Sequence, residues 1–370
     1  MFDINNTTTD SKESTVEIEL YGNKAVRWYQ LAARNGVEAA LEQNPNARVL
    51  VHLPTGAGKT ITSGLIFSSS RVRKALNIDP NRKLRLLFIA HKHRLLTQAE
   101  LAYAEAENIE FIPQSVFSDI PDDVLKKGWD IMCLDECQHE SCATLQYQLE
   151  KLGAKPIIGL TATPDRADGY LIKFDHIVNP ISREQAVAEG YLAETELYSF
   201  VGTGSKTQVP LVKDIVDQCG DSMDGTMVFM RTKREVAEVT EFLVSKGYSA
   251  ISITDQSNSE VDRILNAFSA GEYQFVVNCN KISEGVDVVG CSDVIIGRTV
   301  GSYPMLNQII GRAARPDSAC RVYEIVNPLS GYNLDTTIVV GTPKVHRLFY
   351  KRKGQYVTRD FDTSPVDVAA

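Results

Sequence analysis

Residues 53–60 read LPTGAGKT, directly after the apolar run Arg48–Leu53 and directly before a helical pattern. Strand, glycine-rich turn and helix in that order is the context in which a loop cradles phosphate, because backbone N–H groups at a helix N-terminus meet the anion. Thr55, Gly56, Ala57 and Gly58 would shape the cradle, Lys59 would reach the β- and γ-phosphates, and the Thr60 hydroxyl would ligate Mg²⁺. The general G-x-x-x-x-G-K-[ST] pattern wants glycine at position 53, where this chain has Leu53, but Pro-Thr-Gly before GKT is a defined variant. A loop of this kind sits at the carboxyl edge of a parallel sheet, so the stretch sets the fold class as α/β.

Working outward, apolar strand candidates are Arg48–Leu53, Leu84–Ala90, Ile131–Leu134 and Pro156–Leu160, with helical patterns between them. Such continuous apolar runs suit strands covered on both faces. The third run leads into Asp135 and Glu136, two carboxylates where ligands bind an open sheet. Asp135 would hold Mg²⁺ and Glu136 would polarise an attacking water as general base. Cys133, Cys137, His139 and Cys142 lie close by, but their spacing fits no zinc pattern.

A second series follows: Thr226–Met230, Ser249–Ile253, Gln274–Cys279, Asp293–Ile296 and Arg321–Val326, with helices over Lys233–Lys246 and Ser257–Ala270. Between the series, Ser182–Gly190 reads as a helix with a capping box (Ser182, Gln185) and a glycine stop. VGTGSKT at 201–207 reads as the linker, which gives domains of 15–200 and 201–340. Residues 1–14 read as disordered, Thr15–Tyr21 as a half-buried strand, and 341–370 as a basic tail carrying Lys344, Arg347, Lys351, Arg352 and Lys353.

QIIGRAARP at 308–316 closes the second series. A helix over Pro304–Arg315 would put Gln308, Arg312 and Arg315 on one face and Leu306, Ile310 and Ala313 or Ala314 on the buried side. Gly311 in mid-helix costs about 1 kcal/mol relative to alanine, which suggests that something packs close.

The chain has 370 residues, 43% of them hydrophobic, so two or three domains with real cores are expected. No apolar run approaches the roughly 18–20 residues that span a membrane, and MFDINNTTTD is not a secretory signal. Seven cysteines without a CxxC pair argue for a reducing compartment, read as the cytoplasm. The net charge of −8 disfavours bulk nucleic-acid binding, so any such binding would use a local groove.

Taken together, these residues resemble superfamily 2 nucleic-acid helicases and translocases. WYQ at 28–30 resembles the adenine-reading Q motif, PTGAGKT motif I, FIAHKHRLLTQ (88–98) motif Ia and DECQH (135–139) motif II. GLTATPDRADG (159–169) resembles motif III with its flank, MVFMRTKREV (227–236) motif IV, ISEGVDV (282–288) motif V and QIIGRAARP motif VI. The flavour is that of the XPB-type and restriction-translocase branch, which acts mainly on DNA. The DExH box departs from the family in having Gln138 at its fourth position, which bears on coupling between the domains.

The resemblance implies two tandem RecA-like parallel-sheet domains with an interdomain ATP cleft, ATP and Mg²⁺ as ligands, and a monomer working on nucleic acid, DNA before RNA. Arg27 and Gln30 would bind adenine, Asp287 the ribose or nucleotide edge, and Gln308, Arg312 and Arg315 the γ-phosphate from the second domain, with Arg315 exposed in the open cleft. Lys92, Arg94, Gln114, Ser115, Arg231, Thr232, Lys281, Ser283 and Thr299 are candidate contacts to the strand. The competing readings are an RNA helicase of the same superfamily and a nucleotide-dependent binding switch without motor output.

Overall fold

The structure, a computed structural model, describes residues 20–21, 24–91, 93–104, 106–137, 149, 153, 155–162, 174–202, 207–279, 288–315, 319–328 and 334–362, with Leu20, His93 and Arg94 described by backbone alone. The chain enters through a small antiparallel pair, β1 (Leu20–Tyr21) and β2 (Lys24–Ala25), then helix α1 (Trp28–Gln43).

The first sheet is made of β3 (Arg48–His52), β4 (Leu84–Ala90), β5 (Ile109–Ser115), β6 (Ile131–Asp135), β7 (Ile157–Thr161) and β8 (His176–Val178). Their order is β5-β4-β6-β7-β3-β8, and every neighbouring pair is parallel. The apolar run of β4 explains its burial on both faces. Leu86, Phe88 and Ala90 enter one core, while Leu87 and Ile89 enter the core on the opposite face.

The second sheet contains β9 (Thr195–Val201), β10 (Thr226–Met230), β11 (Ala250–Ile253), β12 (Phe275–Asn278), β13 (Asp293–Gly297), β14 (Cys320–Val326), β15 (Val345–Arg352) and β16 (Gln355–Asp360). Their order is β11-β12-β10-β13-β14-β9-β15-β16, parallel except for the last pair. The same partition recurs on β10, where Met227 and Phe229 face one core and Val228 and Met230 the other.

Three expectations are corrected. The strand β9 pairs in parallel with β14 from Thr195 to Val201, so the second sheet begins before residue 200 and not after it. The Gly/Ser/Thr stretch is therefore preceded by a strand of the second sheet, and the crossing between sheets runs through the helix Arg183–Ala188. Residues 345–360 are no loose tail. They form the hairpin β15–β16, joined at Lys353 (φ +51°) and Gly354 (φ +82°), and its basic residues Arg347 and Lys351 pair with Asp360 and Asp214. Finally, Ser182 caps its helix by accepting from the Gln185 N–H, but the Gln185 side chain turns to Glu189, so the box is half-made. The segments 1–14 and 15–19 lie outside the described residues.

An ion pair anchors the second sheet. Asp293 at the start of β13 is fully buried, and Arg321 reaches it through Nε at 2.6 Å and Nη2 at 2.8 Å. Burial raises the Asp293 carboxyl despite that partner and the Ser292 hydroxyl. Removing the guanidinium strands a buried charge. Arg321→Ala is expected to cost about 3 kcal/mol or more in thermal unfolding, and adding Asp293→Asn should recover part of the loss.

Candidate nucleotide site between the two sheets

Strand β3 ends at His52, and Leu53 N–H donates to Thr161 O at 3.0 Å, which fixes where the loop departs. Gly56 (φ +87°) and Gly58 (φ +85°) are left-handed, so the loop needs glycine at both. Helix α2 (Lys59–Ser68) starts from Gly58 with no side-chain cap, which leaves its first N–H groups facing outward. The Thr55 hydroxyl is buried with no hydrogen-bond partner among the described residues. Open donors and an orphaned hydroxyl are what a phosphate chain would satisfy.

Asp135 closes β6, and Glu136 follows in the left-handed region at φ +49°, a strained position for a residue with a Cβ. The turn aims the carboxylate at Lys59, with Nζ 2.9 Å from Oε1. Burial, and then the Glu136 charge, raise the Asp135 carboxyl; Lys59 opposes them. Thr60 is exposed at the start of α2. Thr60 and Asp135 could supply oxygen donors to Mg²⁺; no group of three or more His, Cys, Asp or Glu placed to hold a metal ion is found among the described residues.

The base end differs in detail from expectation. Gln30 is buried, and its amide is already used: Oε1 accepts from Arg27 N–H at 2.9 Å, and Nε2 donates to Ala57 O at 3.3 Å. It braces the phosphate loop from behind. Tyr29, which the sequence analysis did not single out, is fully buried and donates to Ala57 O at 2.8 Å. Arg27 donates to the Tyr29 hydroxyl at 2.9 Å and lies over the Tyr191 ring at 5.1 Å.

The second sheet contributes the helix Tyr303–Ile310, which stops at Gly311 rather than running to Arg315. Arg312 and Arg315 therefore stand on the turn after it, and Gln308 is buried. Leu306, Ile310, Ala313 and Ala314 are buried as expected. Gly311 shows what packs close. A Cβ there would sit 2.8 Å from Thr55 Cβ and inside the envelope of its methyl group. Likewise a Cβ at Gly56 would lie 3.3 Å from Ala314 O. Asn307 reaches Ala162 O at 3.4 Å. Because the turn rests on the loop, Arg315 is half-buried rather than exposed, and burial lowers its pKa.

Asp287, Gln138, His139, Cys142, Lys92, Lys281 and Ser283 lie outside the described residues, as does the Arg94 side chain. Of the other strand candidates, Gln114 spends its amide on Ser115 O and Ser118 O, Ser115 Oγ accepts from Phe117 N–H, and Thr232 caps the helix Lys233–Ser245. Thr299 is exposed, and Arg231 is exposed beside Glu235 at 3.5 Å.

Residues 23–120 match the family of type III restriction enzyme res subunits, and residues 208–317 match the helicase conserved C-terminal domain. The chain belongs to the superfamily 2 helicases and translocases. Within that superfamily it is 23% identical over 351 residues to IRC3 of Saccharomyces cerevisiae, provisionally named an ATP-dependent helicase; the match covers 80% of this chain and 50% of IRC3. A stretch of 106 residues is 32% identical to the ATP-dependent RNA helicase DBP2 of Lodderomyces elongisporus, covering 28% of this chain and 19% of that protein. Among solved structures, a fragment provisionally identified as the HsdR subunit of a type I restriction enzyme from Vibrio vulnificus YJ016 superposes with a TM-score of 0.67 at 19% identity, covering 90% of this chain and 70% of that one. Both sheets are thus RecA-like, as the resemblance implied. The chain spans about half the length of IRC3.

The backbone approach at Gly311 makes a superfamily 2 site testable by volume alone. Gly311→Ala should push the arginine turn off the loop and cut ATP turnover at least tenfold. Thr55→Ser, which removes the interfering methyl group, should restore part of that loss in the double variant, as coupled neighbours do.

Proposed function

We propose that this chain is an ATP-driven motor that moves on or remodels DNA. One observation carries the reading: the turn bearing Arg312 and Arg315 is seated on the phosphate loop of the other sheet, through Gly311 on Thr55. That contact supports placing cations of one domain beside the phosphate cradle of the other, the arrangement a domain-closing ATPase requires.

On this reading the loop N–H groups and Lys59 hold the triphosphate. The arriving phosphates take Lys59 away from Glu136, and the freed carboxylate accepts the proton of the attacking water. Arg315 and Arg312 offset the charge that spreads over the γ-phosphate oxygens, an effect typically worth about 10³–10⁵ in rate. Thr60 and Asp135 would hold Mg²⁺, which would neutralise the phosphates. Gln308 is buried behind the arginine turn and would position it. Asp287, from motif V, would meet the ribose edge by family analogy.

DNA is favoured over RNA by the restriction-enzyme family matched at residues 23–120. The strand would lie across both domains; the two domains are assigned to residues 15–194 and 195–362, with the chain acting as a monomer in a reducing compartment. Among the described residues no helix is long and apolar enough to cross a membrane.

Steady-state ATPase with single-stranded, duplex and forked DNA and with RNA tests the proposal. Turnover should rise with DNA, and Arg315→Ala should lose that rise while keeping near-normal ATP affinity. Turnover indifferent to every nucleic acid would defeat the motor reading, and stimulation by RNA alone would replace DNA as the substrate.

Glu136→Gln should separate binding from chemistry. The amide keeps the shape and removes the base, so Mg-ATP should bind in equilibrium titration while hydrolysis falls by about 10²–10⁴. Near-normal turnover would remove Glu136 from its role.

A further inference from the structure

The segment between the two sheets is fastened to the start of α1 at two places and meets the nucleotide loop at a third. Trp28 Nε1 donates to Glu189 Oε2 at 2.7 Å. Arg27 Nη1 donates to Tyr191 O at 3.4 Å, and its guanidinium lies over the Tyr191 ring with its centre 5.1 Å from the centroid. The Leu192 side chain stands 3.0 Å from where a Cβ on Gly56 would be. The ring of Tyr191 is itself held edge-on against Tyr29, centroids 5.3 Å apart, and Tyr29 holds Ala57 O of the loop. One aromatic ring, one guanidinium and the phosphate loop are therefore locked into a single arrangement, and Tyr191 comes from a part of the chain 164 residues from Arg27.

Gln30 sharpens the point. Its carboxamide is committed to Arg27 N–H and Ala57 O, so the hydrogen-bonding group expected to read the base is turned toward the protein. Arg27 is only half-buried, and its guanidinium centre stands over the Tyr191 ring. A planar cation backed by a ring on one side offers its other side to a second π-system, and a purine is the π-system that a triphosphate in this loop carries.

We propose that Tyr191 is a positioning residue for the nucleobase: it holds the Arg27 plane so that a purine stacks on the opposite side, and it does so from the segment leading into the second sheet. This rests on the ATPase reading above. The ring supplies the face and the cation supplies the attraction, so recognition is of a flat, electron-rich base rather than of one hydrogen-bond pattern. The ligand class is a purine nucleoside triphosphate, and the base contributes affinity through Arg27 while the phosphates contribute through the loop.

The test is equilibrium binding by the full chain of an ATP analogue carrying a ribose fluorophore, with ATP and inorganic tripolyphosphate as competitors. Tripolyphosphate reports the loop without the base. Tyr191→Ala should weaken ATP by roughly tenfold, the size of one cation–π contact, and leave tripolyphosphate within twofold of wild type. Tyr191→Phe, which keeps the ring, should match wild type for both. If Tyr191→Ala binds ATP as wild type does, the inference is overturned. If ATP and tripolyphosphate weaken together, the residue acts on the loop through Leu192 and Gly56, and the inference is again overturned. A wild-type chain that binds neither would instead defeat the ATPase reading itself.

Discussion

Two side-chain-free positions, Gly56 and Gly311, allow the two sheets to share one site. Where the arginine turn rests on the phosphate loop, the Gly311 backbone meets the Thr55 side chain and the Gly56 backbone faces Ala314 O. Anything larger at either position would open a gap of the size of a methyl group, and the reach of a guanidinium to a phosphate tolerates little misplacement. The rest of the site is arranged around that contact. The loop is braced from behind by Tyr29 and Gln30 through Ala57 O, so that the surface met by the second sheet is fixed.

The first sheet delivers its functional groups because all its strands are parallel and end on the same edge. β3 ends in the loop, β6 in Asp135 and Glu136, and β7 lies between them with Thr161 receiving the Leu53 N–H. The left-handed turn at Glu136 is strain placed where it is useful, since it points the carboxylate toward Lys59 rather than along the strand. The second sheet repeats the plan, with the crossing segment laid against the base end of the site on its way from one sheet to the other.

Much of this was legible in the sequence, and the rest has identifiable causes. The runs 84–90 and 226–230 were placed residue for residue because apolar strands buried on both faces have sharp polar borders. Gly311 was marked by its cost in a helical pattern, although the helix stops there and the turn carries the arginines. The strands β5, β9, β15 and β16 carry polar residues among the apolar ones, so composition alone did not separate them from loops. The glycine-rich stretch after Val201 resembled a linker by composition alone, but the strand before it already pairs in the second sheet. Gln30 was recognisable by position, but no pattern shows that its amide is spent on Ala57. Tyr191 was invisible as a site residue, because its meaning comes from a contact with Arg27 across the fold.

The charges explain why such a site should close on its ligand. Without nucleotide, the first domain presents Lys59 against Asp135 and Glu136, one formal positive charge and two negative; burial already raises the Asp135 carboxyl. A triphosphate with its divalent cation adds about two further negative charges, so the first domain alone would be left with an excess near three. On the proposed reading, Arg312 and Arg315 would bring that excess back to about one only when the second domain's turn lies against the loop. In a water-excluded crevice such an imbalance is costly, and guanidinium groups keep their charge even when half-buried, as Arg315 is. The same closure would move the two domains relative to each other. On the proposed reading, hydrolysis and phosphate release would lower the negative charge, and the contact at Gly311 would lose that electrostatic support. On the proposed reading, the step along the strand is this alternation between a contact held by charge and one held only by shape.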